Sequence, residues 1–173
     1  MADDLTKAPK EVVIALINRD NTTSFTAAML DFEIPTVSAG AKNTEVVAKA
    51  VVGSGYRGQK LLEYNRLHLT TSIATPAGKD LTFLVGSSTK LSELIPQLNT
   101  LLAINLTAED YDDVDLPEFV GTPNETHPVQ AVAKANSLCY LGSLTITIKA
   151  EEIDLETVIT EGTLNGLTYQ PPA

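Results

Sequence analysis

Between Pro9 and Ile17 the apolar side chains fall at Val12, Val13, Leu16 and Ile17, the spacing of one helical face, and Asn18-Arg19-Asp20-Asn21 ends the pattern. Proline is tolerated in a first helical turn, where its missing N–H has no intrahelical partner, so a short amphipathic helix is expected from Pro9. Leu30, Phe32 and Ile34 then alternate with Asp31 and Glu33, the period of a half-buried strand, which Pro35 ends. Residues 44–52 have period-two character, and 61–69 continues as their antiparallel partner across the glycine-rich 53–58 stretch. Residues 81–85 predict another short strand.

Leu91, Leu94, Ile95, Leu98, Leu101 and Leu102 form a second and clearer helical stripe, with Ser87 or Ser88 available to cap its start and Pro96 expected to kink or break it. Strands are expected over 129–135 and 144–148, the latter in strict alternation. Asp154 is placed to cap a last helical turn carrying Leu155, Val158 and Ile159, and Asn165-Gly166 is a tight-turn signal.

The two halves echo each other. Ile17-Asn18 precedes Thr26-Ala27 as Leu98-Asn99 precedes Thr107-Ala108; Val47-Ala48-Lys49-Ala50 matches Val132-Ala133-Lys134-Ala135; and Tyr56-Arg57-Gly58-Gln59 matches Tyr140-Leu141-Gly142-Ser143. The offsets are 81, 85 and 84 residues in the same order, which favours two helix-plus-hairpin units, 1–86 and 87–173, packed as one compact domain. The expected fold is α+β, mainly antiparallel sheet or sandwich with two short helices.

The echo bears on Gly53-Ser54-Gly55-Tyr56-Arg57-Gly58, which matches the G-x-G-x-x-G pattern of dinucleotide loops. Its counterpart at Tyr140-Leu141-Gly142 has no G-x-G before it, so the shared feature is hairpin chemistry, with Gly supplying φ > 0 and Tyr packing across the strands. A cofactor loop needs a helix opening at the third glycine and an acidic residue at the end of the next strand, whereas Asp80 follows the turn Pro76-Ala77-Gly78-Lys79. No cofactor is assigned.

The 173 residues carry 12 Lys and Arg against 22 Asp and Glu, a net charge of −10, without a basic run. Such a field repels a phosphate backbone, so no nucleic-acid partner is expected. The acidic, polar start Met1-Ala2-Asp3-Asp4 and the absence of a long apolar stretch lead to the expectation of no signal peptide and no membrane partner. The asparagines of Asn21-Thr22-Thr23, Asn105-Leu106-Thr107 and Asn124-Glu125-Thr126 are then loop and cap residues rather than glycosylation sites. The one cysteine, Cys139, among Leu138, Tyr140 and Leu141, is expected as a small buried hydrophobe.

Five carboxylates crowd residues 109–115, but the order of oxygen ligands and glycine in a Ca²⁺-binding loop is missing, and a solvated acidic loop is the favoured reading. His68 and His127 stand in different halves, so no zinc site is assigned. No residue is singled out as a catalytic nucleophile or base. Paired carboxylates suit glycoside hydrolysis only where aromatic platforms hold a sugar, and the chain has no Trp. Arg66, inside an apolar strand beside Tyr64, is either an outward-facing strand residue or an interface cation pairing with a partner subunit or an acidic loop. Arg66, Tyr64, Asp110, Asp112 and Asp113 are therefore the candidate interface residues.

Gly53-Ser54-Gly55-Tyr56-Arg57-Gly58 with Tyr64-Asn65-Arg66-Leu67, together with Leu16-Ile17-Asn18, Thr26-Ala27, Asn43-Thr44, Tyr140-Leu141-Gly142-Ser143 and Leu164-Asn165-Gly166-Leu167-Thr168-Tyr169, resembles a family of small virion structural proteins of large contractile-tailed bacteriophages. The resemblance implies a non-enzymatic component made in the host cytoplasm and incorporated in the virion, as head decoration, neck, tail or baseplate. Its partners would be other virion proteins and further copies of itself in an oligomer or lattice. The alternatives are a binding module, such as a host-surface adhesin or fibre-attachment domain with contact loops at 70–80 and 109–127, and a hydrolase using acidic residues.

Overall fold

The computed structural model describes residues 3–120 and 125–150. The expected helical turn at Asp154, the Asn165-Gly166 turn, the Pro171-Pro172 tail and Asn124 lie outside the described residues.

Helix α1 (Pro9–Asn21) has proline in its first turn and ends on Thr22 in the left-handed conformation (φ 53°). Three strands follow as an antiparallel sheet in the order β1 (Leu30–Phe32), β2 (Thr44–Ala50), β3 (Gln59–Tyr64). The single strand expected over 61–69 is divided: after Asn65-Arg66 the chain forms β4 (Leu67–His68), which leaves the first sheet and pairs in parallel with β7 (Tyr140–Leu141). A π-helical turn (Leu69–Ala74) and the short α2 (Thr75–Ala77) lead to β5 (Thr82–Leu84). Residues 70–78 are thus folded onto the body by the buried Leu69 and Ile73, where the adhesin alternative requires an open loop.

The leucine stripe is split into a 3₁₀ turn (Leu91–Glu93) and α3 (Ile95–Leu102). Pro96 does not kink α3 but sits in its first turn, where the missing N–H costs no intrahelical bond. Ser87 and Ser88 do not cap it; the Glu93 carboxylate accepts from the N–H groups of Thr89 (2.6 Å) and Lys90 (3.3 Å) instead. Strands β6 (Thr126–Val132) and β8 (Ser143–Lys149) are antiparallel, and β5 adds to β8 in parallel, giving the order β5-β8-β6. The fold is a small α+β fold with antiparallel and mixed sheets.

The core lies between α3 and the β5-β8-β6 sheet. Leu98, Tyr140, Ile146 and Ile148 are fully buried there, and Val12 and Val13 of α1 join the same cluster. Each such side chain contributes ~1.5–3 kcal/mol, so this cluster dominates stability.

The same local structures recur in both halves. At the end of α1, the Asn18 amide donates to Phe25 O (2.8 Å) and its Oδ1 accepts from Phe25 N–H (2.7 Å); at the end of α3, Asn99 makes the same pair with Leu106 (3.0 and 2.9 Å), 81 residues on. Both helices end on a left-handed non-glycine residue, Thr22 and Ala103. In the hairpins, Ala50 N–H donates to Gly58 O (3.0 Å) and Ala133 N–H to Gly142 O (2.8 Å). Ala50 therefore corresponds to Ala133, an offset of 83 residues, which corrects the Val-Ala-Lys-Ala register of the sequence by two. A slip of two preserves which face each side chain occupies, so the repeated word conceals it.

Candidate functional site: the joint between the two units

Asn43 and Arg66 build the joint. The Asn43 side chain accepts from Arg66 N–H (2.8 Å) and donates to Arg66 O (2.9 Å), pulling the chain out of the β3 ladder. The guanidinium this presents is half-buried. Its Nε donates to the buried Thr44 Oγ1 (3.0 Å), and one terminal nitrogen reaches the carbonyls of Ala135 (3.2 Å) and Ser137 (3.0 Å) in the second hairpin turn. Burial lowers its pKa from the ordinary value. Arg66 is thus neither outward-facing nor paired with an acidic loop; it ties one unit to the other through neutral acceptors.

Tyr64 works beside it, donating its hydroxyl to Leu138 O (2.7 Å), and burial raises its pKa. A Cβ on Gly142 would lie 2.1 Å from His68 Nε2, so the second turn closes against the exit of the first unit. Gly142 has φ 76°.

The acidic run is dispersed. Asp110 is 2% exposed, which corrects the solvated-loop reading for this residue. Its carboxylate accepts from Thr107 N–H (3.0 Å), Thr107 Oγ1 (2.6 Å) and Ser137 Oγ (2.6 Å). Asp113 accepts from Ser92 N–H and Oγ, Asp115 pairs with Lys90 (2.9 Å), and Asp112 puts its backbone N–H on Val132 O. The carboxylates point to separate partners, and among the described residues no group of three His, Cys, Asp or Glu is placed to hold a metal ion. Of the candidate interface residues, Arg66, Tyr64 and Asp110 converge on the 135–138 turn, whereas Asp112 and Asp113 remain on the exposed rim.

Gly53 and Gly55 (φ 84° and 86°) lie in the hairpin turn from β2 to β3, and Gly58 (φ 90°) launches an antiparallel strand rather than a helix. Cys139 is buried, donating to Pro9 O (3.4 Å), and burial pushes its thiol up to about 12. His127 contacts Glu125 (2.8 Å) and meets Phe119 edge-on.

Sequence reasoning missed the contrast between the two units. In unit 2 the positions Leu98, Leu106, Tyr111, Ala131, Tyr140 and Ile146 are all buried. Their counterparts in unit 1, Ile17, Phe25, Leu30, Ala48, Tyr56 and Leu62, border an open and mostly apolar groove of about 320 Å³. Tyr56 is 55% exposed with its ring against Phe25, whereas Tyr140 is fully buried. A second groove of about 380 Å³ runs between α1 and β3, lined among others by Leu16, Arg19, Leu62 and Tyr64. The signal lay in the tail of α1, where Leu16 and Ile17 belong to the apolar stripe yet are only half-buried.

No curated protein and no solved structure matches the chain. A family model does match, over residues 2–172, and the chain belongs to that family, a family of unknown function (DUF7941).

Proposed function

We propose that the protein is a non-enzymatic structural component of a tailed-bacteriophage virion that acts through subunit contacts. The carrying observation is the uncovered face of unit 1. Its apolar grooves, and the exposed Tyr56, Leu61 and Val52 around its hairpin, match surface that unit 2 buries within the same fold. Contiguous apolar surface of this kind marks a place for a partner, and burying it repeatedly in a symmetric assembly makes modest contacts collectively strong. The virion as the setting rests on the sequence resemblance. The joint supports the same role mechanically, because Arg66 and Tyr64 fix the two units through main-chain carbonyls that cannot titrate.

Light scattering of the purified chain over a range of concentrations tests this, together with binding to particles that lack the protein. Concentration-dependent oligomers or particle binding are expected. A strictly monomeric chain that binds no particle overturns the proposal.

A further inference from the structure

Unit 2 shows what covers such a face. The segment leaving unit 1 crosses over, places Leu69 and Ile73 in the shared core, and ends as β5 alongside α3. β5 runs parallel to β8 in the register Thr82↔Thr147, Phe83↔Ile148, Leu84↔Lys149, extended by Thr147 N–H to Leu81 O (2.9 Å) and Val85 N–H to Lys149 O (3.0 Å). Phe83 is buried between them.

The repeat carries these positions into unit 1. Subtracting 84 turns 147–149 into Glu63, Tyr64 and Asn65, and subtracting 81 turns Gln97, Thr100 and Leu101 of α3 into Leu16, Arg19 and Asp20. All six line the 380 Å³ groove. The groove therefore stands where a β5-like strand belongs, and among the described residues no strand fills it or pairs with the outer edge of β3.

We propose that residues 167–169 of a second copy of this chain fill the groove as a strand parallel to β3, joining subunits head to tail. This deepens the assembly role proposed above and rests on it. The sequence supports the occupant: Leu81-Thr82-Phe83 recurs as Leu167-Thr168-Tyr169. The reach agrees too, with 17 residues from Tyr64 to Leu81 and 19 from Ile148, the counterpart of Tyr64, to Leu167. The aromatic also suits its slot. Phe83 enters an apolar site, whereas a tyrosine in the unit 1 groove meets the polar rim of Arg19, Asp20 and Lys42 with its hydroxyl.

Direction selects a second copy over the chain's own tail. Within one chain the exit of unit 1 docks on the turn of unit 2, as His68 against Gly142 shows. The equivalent turn of unit 1 is open: a Cβ on Gly53, Gly55 or Gly58 meets nothing within 4 Å, and the strand partners of Lys149 are Leu84 and Thr126. Repeating the same step between chains adds a strand to a free sheet edge and gives a heterologous contact that propagates as a ring or a filament.

Full-length protein carrying Glu63→Cys and Thr168→Cys tests the register, since 63 and 168 correspond to the paired 147 and 82. Under copper-catalysed air oxidation the double variant is expected to give a ladder of disulfide-linked dimers, trimers and higher species. A Val37→Cys/Thr168→Cys control, with the first cysteine on a remote exposed site, gives none. Tyr169→Asp, checked for an unchanged circular dichroism spectrum, is expected to weaken self-association about tenfold or more in light scattering. A disulfide confined to single chains overturns the second-copy assignment. Assembly that persists in Tyr169→Asp with no 63–168 crosslink overturns this contact and leaves the assembly role standing, whereas a wild-type chain that neither self-associates nor binds particles sinks both.

Discussion

Asp110 Oδ1 and Ser137 Oγ meet 2.6 Å apart inside the core, joining the segment after α3 to the turn that precedes Tyr140. The Ser137 hydroxyl also accepts from Tyr140 N–H (3.2 Å), so one serine links a buried carboxylate to the strand carrying the largest buried side chain. A buried carboxylate is tolerable only while its donors are present. Asp110→Ala strands Thr107 N–H and both hydroxyls and is expected to cost about 3 kcal/mol or more; Ser137→Ala, which leaves Asp110 two donors, about 1–2 kcal/mol. Urea unfolding of both variants checks the order, and equal costs would show that Ser137 is the real anchor.

The paired asparagines give a comparison inside one molecule. Asn18→Ala and Asn99→Ala each delete two side-chain bonds that hold the chain after a helix, at about 1–3 kcal/mol. Asn99→Ala is expected to be the worse of the two, because Leu106 is 3% exposed, whereas Phe25 is half-buried and its freed groups can reach water. Thermal unfolding of the two variants side by side measures the difference.

Much of this was legible in the sequence, for local reasons. Pro9 and the Asn18–Asn21 run bounded α1 because proline preference and the helical period act within a few residues, and the alternation of 144–148 located β8. Pairings between distant segments were not legible. β5 has three residues, too few for a pattern that distinguishes a parallel partner, and Arg66 finds main-chain carbonyls, which carry no side-chain signature. Asp110 looked like one of several solvated acids. Its burial follows from Thr107, three residues earlier, whose N–H and hydroxyl supply local donors, a Thr-x-x-Asp spacing that marks one carboxylate of the run as different.

Gly142 and Gly58 separate backbone strain from contact. Both have positive φ, so alanine costs about 1–2 kcal/mol at either site. Gly142→Ala carries a further cost, because its Cβ would lie 2.1 Å from His68 Nε2, whereas a Cβ at Gly58 meets open space. The double variant Gly142→Ala/His68→Ala should recover part of that excess in a mutant cycle, and additivity of the two single costs would show that the ring moves aside freely.

Arg66→Lys keeps the charge but cannot span Thr44, Ala135 and Ser137 with one planar group. Two or more acceptors lose their donor at a partly dry joint, so a loss of about 1–3 kcal/mol is expected in urea unfolding. A lysine as stable as the arginine would show that charge alone holds the units together.

Alkaline pH is expected to weaken the fold through Cys139. Burial, the largest cause, raises its folded pKa to about 12 from a starting value of 9.0, so the folded chain holds the thiol proton more tightly than the unfolded chain. The stability tied to this group is complete below pH 9 and declines as the pH rises from there towards 12, because the unfolded chain gives up its proton first. Tyr64 and Tyr140, also raised by burial, act in the same direction above pH 10. The urea midpoint should therefore be insensitive to these groups near pH 8 and fall above pH 9, and Cys139→Ala should flatten the first part of that fall. A thiol reagent gives the independent check: Cys139 should resist labelling at pH 8 in the native chain and react on unfolding, and prompt native labelling would show that the site opens.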